Sequence, residues 1–311
     1  MTSFNVAPYV RRAVESVLAQ TYPNWELVVL DGGSSDDTRK ILSTYQDPRI
    51  RLLFPEQRVR YVAGKNELLR AFKGELACFL DADDWMREDR VALQARVFEQ
   101  HPDAAACVCN YVRVYPGGKE VPAPFLGESR FIDVRRDGVG FAGAAMMFRR
   151  TTVEKIGAFE PYFEGLMGDD HYWTLRIAQQ LRCYHLNEDL YFYRANPTSI
   201  GATLDHPRKL TVTAALDKLK QQRLETGTDW LEQGRHADLL AFEEALMKDD
   251  VWMGERLRLH AAVRLDHGDV KGAATLLRKA LERDPRNPSV AKTALYLVRT
   301  AARRLLARKP L

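Results

Sequence analysis

The stretch Trp25-Glu-Leu-Val-Val-Leu-Asp-Gly-Gly33 decides the fold class that this sequence predicts. It joins a short apolar run, rich in residues that favour β-strands, to an Asp-Gly-Gly turn signal. A similar run, Glu75-Leu-Ala-Cys-Phe-Leu80, leads into Asp81-Ala-Asp-Asp84. The other predicted elements are helices over 8–20 and 62–72, a helix that ends at 45 after capping residues 34–37, and a strand over 50–54. Strands that alternate with helices predict an α/β fold with a mostly parallel sheet.

Acidic side chains follow both apolar runs, at Asp31 and at Asp81-Ala-Asp83. In open parallel sheets, ligands bind beyond the carboxyl ends of the strands. Two carboxylates that flank a small residue there suit Mg²⁺ or Mn²⁺ bound together with a diphosphate, although such a triplet alone is also typical of a solvated turn. A second acidic pair, Asp169-Asp170, begins another predicted helix. It either caps that helix or presents a carboxylate as a general base.

Composition limits the class of protein further. The 311 residues correspond to about two average domains, and the 46% apolar and 28% charged residues are usual for a soluble globular protein. The sequence has neither GxGxxG nor GxxxxGK followed by Ser or Thr, which excludes dinucleotide-binding and P-loop proteins. Its four cysteines include no CxxC pair, which argues against a zinc site. Without a long apolar run or the pattern of a secretory signal, we expect a cytoplasmic protein.

The second part of the chain changes character. From residue 205 onward the sequence favours helices and has few strand-like runs. We therefore expect two domains, 1–204 and a helical region 205–311. The small residues of Ala261–Pro285 are spaced as in the second half of a tetratricopeptide repeat, which predicts one helix pair.

The C-terminal tail is basic. Residues 285–311 carry seven basic and no acidic side chains, so the rest of the chain has a net charge of −3. A mildly acidic main body argues against nucleic acid as a partner. Leu295, Val298, Ala302 and Leu305 share one face of a predicted helix, with arginines around the rest. Such a helix either lies on the anionic inner face of a membrane or remains in solvent.

Six segments, in order over about residues 2–200, resemble the motifs of family 2 of the inverting glycosyltransferases, which have the GT-A nucleotide-sugar-binding fold. They are Thr2-Ser-Phe-Asn5, Ala19-Gln-Thr-Tyr22 with Trp25–Ser34, Ala63-Gly-Lys-Asn66, Phe79-Leu-Asp-Ala-Asp-Asp-Trp85, Gly168-Asp-Asp170 with Leu175-Arg176, and Tyr193-Arg-Ala-Asn-Pro197. The resemblance implies a metal-dependent, inverting, hexosyl-type transferase. Such an enzyme moves a sugar from a nucleoside-diphosphate sugar to a hydroxyl of a glycan or lipid-linked acceptor, in surface polysaccharide or glycan biosynthesis.

The resemblance also implies roles for individual residues. Its four donor-binding residues are Asn5, Asp31, Lys65 and Asp81. Of these, Asp31 would meet the nucleobase and Asp81 the ribose. Asp83 would coordinate the Mn²⁺ or Mg²⁺ that bridges the two phosphates. Asp170 would deprotonate the acceptor hydroxyl, and inversion follows from the resulting single displacement.

The sequence departs from the family pattern at several positions. Gly32 replaces a second Asp beside the nucleobase, and Lys65 replaces an Arg, which keeps the charge but loses bidentate geometry. Asn196 stands where the family often has His, so we assign it no metal role. Met1 takes the last position of the family's first strand. Since a missing central strand leaves backbone groups unpaired, we expect the natural chain to begin about ten residues upstream.

Two other functions compete with this interpretation. A nucleotidyltransferase could use a similar nucleotide-binding sheet, but Asp170 and the Tyr193-Arg194 segment would then have no evident task. A catalytically degenerate transferase could act as an interaction module. The departures at Gly32 and Lys65 favour that alternative, whereas the retained acidic residues argue against it.

Overall fold

A computed structural model describes residues 1–138, 142–196, 203–204, 206–266 and 269–307. The chain divides into two compact units, residues 1–195 and 196–311. Strands and helices build the first unit, and the described residues of the second unit form helices. The predicted α/β class with a helical C-terminal region is therefore confirmed.

The first unit contains ten strands and seven α-helices in its described residues. The strands are β1 (Thr2–Ser3), β2 (Leu27–Asp31), β3 (Ile50–Leu53), β4 (Leu76–Cys78), β5 (Trp85–Met86), β6 (Ala106–Val114), β7 (Glu120–Ala123), β8 (Arg130–Phe131), β9 (Met146–Arg149) and β10 (Cys183–Arg194). The helices are α1 (Val10–Leu18), α2 (Thr38–Leu42), α3 (Tyr61–Ala71), α4 (Arg90–Gln100), α5 (Val134–Asp137), α6 (Arg150–Ile156) and α7 (Asp169–Gln180). Short 3₁₀ turns lie at Gly143–Ala145 and Pro161–Phe163.

These strands form two sheets. The first has the order β1-β2-β3 and is parallel throughout, with Leu30 opposite Thr2 and Leu27 opposite Ile50. The second has the order β4-β9-β6-β10-β5, with β7 beside β6 and β8 beside β10. In the described residues, β6 and β10 are the one parallel pair of neighbours in this sheet, and β9 runs antiparallel to both β4 and β6. The predicted parallel sheet is thus joined by a mixed one.

The chain start is built into the first sheet. The Met1 amine donates a hydrogen bond to Val28 O (2.9 Å), and Met1 O accepts one from Leu30 N (3.0 Å). Burial lowers the pKa of this amine to about 5. The strand β1 itself is two residues long and forms an edge of its sheet.

Alternation along β2 explains how the sheet separates two apolar cores. Val28 and Leu30 join the cluster that contains Phe148 and Trp173. Leu27 and Val29 face the opposite way, into the cluster built on α1. Successive strand residues point to opposite faces, so a strand buried on both faces has the continuous apolar pattern seen in the sequence. Two-sided packing fixes where the strand ends, and therefore where Asp31 lies.

The predicted cap before α2 is confirmed at one residue. α2 begins at Thr38, and Asp36 Oδ1 accepts hydrogen bonds from Thr38 N (3.0 Å) and Thr38 Oγ1 (2.5 Å), whereas Asp37 makes no side-chain capping bond. The helix ends at Leu42, earlier than predicted. The two serines of the segment join two loops. Ser34 Oγ donates to Asp31 Oδ2 (2.5 Å), and Ser35 N donates to Asn5 Oδ1 (2.8 Å). The segment therefore both caps α2 and ties the loop after β2 to the loop after β1.

The second unit contains five helices in its described residues: α8 (Arg208–Thr226), α9 (His236–Lys248), α10 (Asp250–Asp266), α11 (Val270–Arg283) and α12 (Pro288–Ala307). Its core includes Leu257, Ala261, Ala273, Leu277 and Ala280, where small residues let α10 and α11 pack together. In the described part of the chain, no helix combines the length and apolarity needed to cross a bilayer. Of the basic tail, Arg308 and Lys309 lie outside the described residues.

Candidate active site

The loop between β4 and β5 holds the predicted acidic triplet. β4 ends at Cys78, earlier than predicted, and Asp84 organises the turn that follows. Asp84 Oδ2 accepts a hydrogen bond from Tyr191 Oη (2.6 Å), and Asp84 Oδ1 accepts one from Arg194 N (2.7 Å). Arg194 Nε also donates to Asp83 O (2.8 Å). The carboxylate of Asp84 is therefore committed to shaping the loop that presents Asp81 and Asp83.

Asp81 lies on the inner side of this loop, against Tyr61 and Tyr191. Its main-chain N–H donates to Tyr191 Oη (3.3 Å), and Tyr61 Oη donates to its Oδ1 (3.2 Å). Burial raises the pKa of Asp81 to about 6; the nearby Lys65 ammonium lowers it, whereas the Asp83 carboxylate adds to the rise. A cation next to this carboxylate would favour its ionised form.

Asp170 lies in the first turn of α7. Its Oδ2 accepts a hydrogen bond from Gly143 N (3.3 Å), and its Oδ1 accepts one from His171 N (2.9 Å) and lies 3.3 Å from His171 Nδ1. Burial alone would raise the pKa of Asp170, but His171 outweighs it and holds that pKa well below its usual range. The carboxylate is thus ionised and able to accept a proton.

Lys65 and Asp169 form a buried ion pair. Lys65 Nζ donates to Asp169 Oδ2 over 2.8 Å, and the two side chains are 7% and 6% exposed. The ammonium also lies 4.4 Å from the ring centre of Tyr61 and 4.9 Å from that of Phe159. Burial would lower the pKa of Lys65, but the Asp169 carboxylate raises it well above its ordinary value. The pair joins α3 to the first residue of α7.

Three of the six predicted site residues line one pocket. The pocket is bounded by Lys65, Phe79, Asp81, Gly143, Ala144, Phe159, Asp170 and Trp173. It therefore brings together Lys65 from α3, Asp81 from the loop after β4 and Asp170 from α7. An ionised base, a cation and a carboxylate in one small pocket can position a polar substrate and remove a proton from it.

Asp31 and Asn5 lie at a separate place, where Ser34 and Ser35 link the loop after β2 to the loop after β1. Asp31 is fully buried, and Ser34 N, Arg39 Nε and Ser3 Oγ all donate to its carboxylate. Burial opposes ionisation, but these donors keep the pKa of Asp31 below its ordinary value. Asn5 adopts a left-handed backbone conformation (φ 51°), and its Oδ1 accepts from Ser35 N.

The departure at Gly32 has a steric explanation. A Cβ on this residue would lie 2.7 Å from the carbonyl oxygen of Val59, which is closer than real Cβ contacts come. The main chain of the 55–60 segment therefore occupies the space that a side chain at residue 32 would need. The sequence showed the substitution but not the neighbouring backbone that goes with it.

The acidic loop carries carboxylate oxygens, which are the ligands that a divalent cation such as Mg²⁺ takes. In the described residues, no group of three or more His, Cys, Asp and Glu side chains is arranged to hold a metal ion. Mg²⁺ commonly takes one or two carboxylates and completes its shell with water and substrate phosphates. Asp83 lies beside Asp81, and the raised pKa of Asp81 reflects burial among like charges that a cation would offset. The oxygen ligands that this loop offers are of the kind that a hard divalent cation prefers.

Sequence analysis missed the residues that support this site. Asp84, Tyr61 and Tyr191 received no role, although each contacts the acidic loop. Asp84 was visible as the fourth letter of Asp-Ala-Asp-Asp. Tyr191 lies 107 residues away from Asp84, and nothing in its local sequence indicates the contact.

Fold and site together define an α/β protein with an acidic pocket beside the loop that follows β4. The description Glycosyl transferase family 2 matches residues 1–157, and the chain belongs to this family. The chain is 33% identical over 215 residues to the glycosyltransferase GlyG of Streptococcus pneumoniae serotype 4, which covers 64% of this chain and 71% of GlyG.

Other curated relatives match over a smaller share of their own length. The Escherichia coli protein WfgD, named a UDP-Glc:alpha-D-GlcNAc-diphosphoundecaprenol beta-1,3-glucosyltransferase, is 37% identical over 94 residues, which is 30% of this chain and 37% of WfgD. The chain spans from 21% to 37% of the length of three further curated relatives.

Two solved structures share the fold. Residues 1–349 of TarS from S. aureus, in complex with UDP-GlcNAc, superpose with a TM-score of 0.63 at 16% identity, covering 95% of this chain and 90% of that one. The mannosyltransferase PcManGT from Pyrobaculum calidifontis, in complex with GDP-Man and Mn²⁺, gives a TM-score of 0.52 at 18% identity, covering 99% and 86%. The GT-A fold implied by the sequence is thereby confirmed.

Proposed function

We propose that residues 1–204 form the catalytic domain of a metal-dependent, inverting glycosyltransferase of the hexosyl type. The observation that carries this proposal is the pocket that Asp81, Asp170 and Lys65 line together. The donor is a nucleoside-diphosphate sugar, and the acceptor is a hydroxyl of a glycan or lipid-linked glycan in surface polysaccharide assembly. The names of WfgD and of the TarS complex make a uridine diphosphate sugar the first donor to test.

Asp170 acts as the general base. Gly143 N and His171 N hold its two oxygens, and the lowered pKa keeps it ionised. Asp170 takes the proton of the acceptor hydroxyl while that oxygen bonds to the anomeric carbon from the face opposite the leaving group. The bond from the anomeric carbon to the phosphate oxygen breaks in the same displacement, so the configuration inverts and a nucleoside diphosphate departs.

Asn5 and the remaining acidic candidates would bind the donor. Asp31 and Asn5, tied together through Ser34 and Ser35, would bind the nucleobase end, and Asp81 would meet the ribose. Lys65 contributes positive charge to the pocket. Asp83 would hold Mn²⁺ or Mg²⁺, which when bound supplies Lewis-acid stabilisation of the diphosphate leaving group.

The alternatives are less well supported. A nucleotidyltransferase would leave the hydrogen-bonded, ionised Asp170 without a task. A degenerate interaction module would have no reason to keep an ionised Asp170 in the same pocket as the Asp81 carboxyl and the Lys65 ammonium.

Titration calorimetry of nucleoside diphosphates with Mn²⁺ tests the donor site. We expect metal-dependent binding to the full chain, strong loss of binding in Asp83→Ala, and unchanged binding in Asp217→Ala, an exposed carboxylate on α8. Asp170→Asn should bind the nucleotide as the wild type does but transfer no sugar. Metal-independent binding, or equal transfer by Asp170→Asn, would contradict the proposal, and binding without any transfer would favour the interaction module.

We further propose that the protein works in the cytoplasm and contacts the inner face of a membrane through α12. Leu295, Tyr296 and Val298 are 52%, 48% and 60% exposed on this helix. Flotation with anionic vesicles should be lost in the double variant Leu295→Asp/Val298→Asp. The matched control is Val251→Asp, on an exposed site of α10. Equal flotation of both variants rejects the contact.

A further inference from the structure

The Lys65–Asp169 ion pair lies at the junction of the two halves of the proposed site. Lys65 belongs to α3, where Tyr61 also donates to Asp81 on the donor side. Asp169 is the first residue of α7 and directly precedes Asp170. The residue before it, Gly168, has a φ of 102°, a conformation that favours glycine. The chain therefore turns sharply into α7, and Lys65 binds the first side chain of that helix.

The surroundings make this pair hard to exchange for another partner. Tyr61 and Phe159 present their rings to the Lys65 ammonium, and Phe79 lies 5.7 Å away. If Lys65 moved to a phosphate, the Asp169 carboxylate, only 6% exposed, would remain buried beside Asp170 without its cation. Leaving one member of a buried pair uncompensated is strongly destabilising.

We propose that Lys65 is a positioning residue, which fixes Asp170 for proton transfer by holding Asp169 at the start of α7, and that it does not bind the donor diphosphate. This inference rests on the proposed function of Asp170. It changes the role that the resemblance implies for Lys65, and it gives the Lys for Arg departure a reason. A single ammonium satisfies one carboxylate inside an aromatic cage, where a bidentate fork is not needed.

Separate measurements of nucleotide binding and turnover test the inference. In Lys65→Met and in Asp169→Asn, kcat should fall by about tenfold or more, because misplacing a catalytic group by a fraction of an ångström is costly. The Kd for nucleoside diphosphate with Mn²⁺ should stay within about threefold, since a charge-assisted bond to phosphate is worth about tenfold or more. The exposed lysine of α6, in Lys155→Met, is the control.

The two substitutions should also fail to add. If Lys65 acts through Asp169, the double variant loses no more kcat than either single variant. A weakened nucleotide Kd in Lys65→Met, with wild-type kcat in Asp169→Asn, would overturn the inference in favour of a phosphate contact. If Lys65→Met does not fold, Lys65→Met/Asp169→Leu replaces the pair by apolar side chains, and wild-type kcat in that variant would also overturn it.

Titration of His171 by NMR gives a readout that needs no turnover. Asp170 raises the pKa of His171, and Lys65 lowers it slightly from further away. If Lys65→Met only removes a charge, the pKa of His171 should rise. If Asp170 moves away, the pKa of His171 should fall toward its ordinary value. A fall supports the inference even when no donor and acceptor give transfer, and a rise or no change overturns it.

Discussion

Replacing Gly143 with alanine is expected to disable sugar transfer without disturbing nucleotide binding. Gly143 is buried in a 3₁₀ turn, and its N–H donates to Asp170 Oδ2. An ideal Cβ on this residue would lie 2.5 Å from Asp170 Cβ and 3.0 Å from its Oδ2. The turn thus allows Asp170 to approach only because residue 143 has no side chain.

The expected loss follows from these distances. Two carbon atoms in van der Waals contact lie about 3.5–4.0 Å apart, so the added methyl group requires a shift of about 1 Å. The turn leads directly into β9, where Met146 pairs with Val108 of β6, so Asp170 is the part that yields. A displacement of about 1 Å in a catalytic group can cost about 100-fold in kcat. Overpacking should also lower the free energy of unfolding by about 1–3 kcal/mol.

Kinetics at saturating donor and calorimetry with nucleoside diphosphate and Mn²⁺ would separate the two effects. The matched control is Gly127→Ala, because a Cβ at that exposed position meets nothing within 4 Å. Wild-type kcat in folded Gly143→Ala would refute this account of how Asp170 is placed. Equal loss of nucleotide affinity and turnover would refute the separation of donor binding from the base.

Three further predictions concern other parts of the molecule. Burial raises the pKa of Asp81 to about 6, so ionisation of this carboxyl destabilises the metal-free protein as the pH rises from 3.8 toward 6. Mn²⁺ should therefore raise the Tm more above about pH 6 than below it, and Asp81→Asn should remove this pH dependence. Gly32→Asp, which restores the acid of the family pattern, should lower the free energy of unfolding by about 1–3 kcal/mol, measured by denaturant titration, because its Cβ would lie 2.7 Å from a main-chain oxygen. Arg223→Met should lower the free energy of unfolding by about 3–5 kcal/mol, because the substitution removes the arginine that lies 2.7 Å from the buried Asp229 carboxylate. Arg278→Met, at a 73% exposed site, is the control and should leave that free energy almost unchanged.

Sequence reasoning succeeded where the deciding signal is local. The apolar run before Asp31 predicts β2 because a strand buried on both faces needs apolar residues without interruption. The acidic pair Asp169-Asp170 predicts the start of α7 because carboxylates favour the positive end of a helix dipole. Both signals lie within a few residues of the feature they predict.

It failed where the partner is distant along the chain. The bond from Tyr191 to Asp84 spans 107 residues, and the pair of Lys65 with Asp169 spans 104. A resemblance assigns roles by motif, and the motif around Lys65 carries no sign of its partner Asp169. Only folding reveals that an aromatic cage and a carboxylate already surround its ammonium. The bond from Ser35 N to Asn5 Oδ1 likewise joins segments that are 30 residues apart.

The two adjacent acids of α7 show how one motif can divide into structural and chemical roles. Successive residues of a helix point about 100° apart, so Asp169 and Asp170 cannot share an environment. Asp169 turns inward to Lys65 and is 6% exposed, while Asp170 is 28% exposed and meets His171. In the proposed mechanism the inward acid holds the start of the helix in place, while the outward acid lines the pocket. Asp170 can therefore serve as a base, because Asp169 rather than Asp170 forms the ion pair with the buried Lys65.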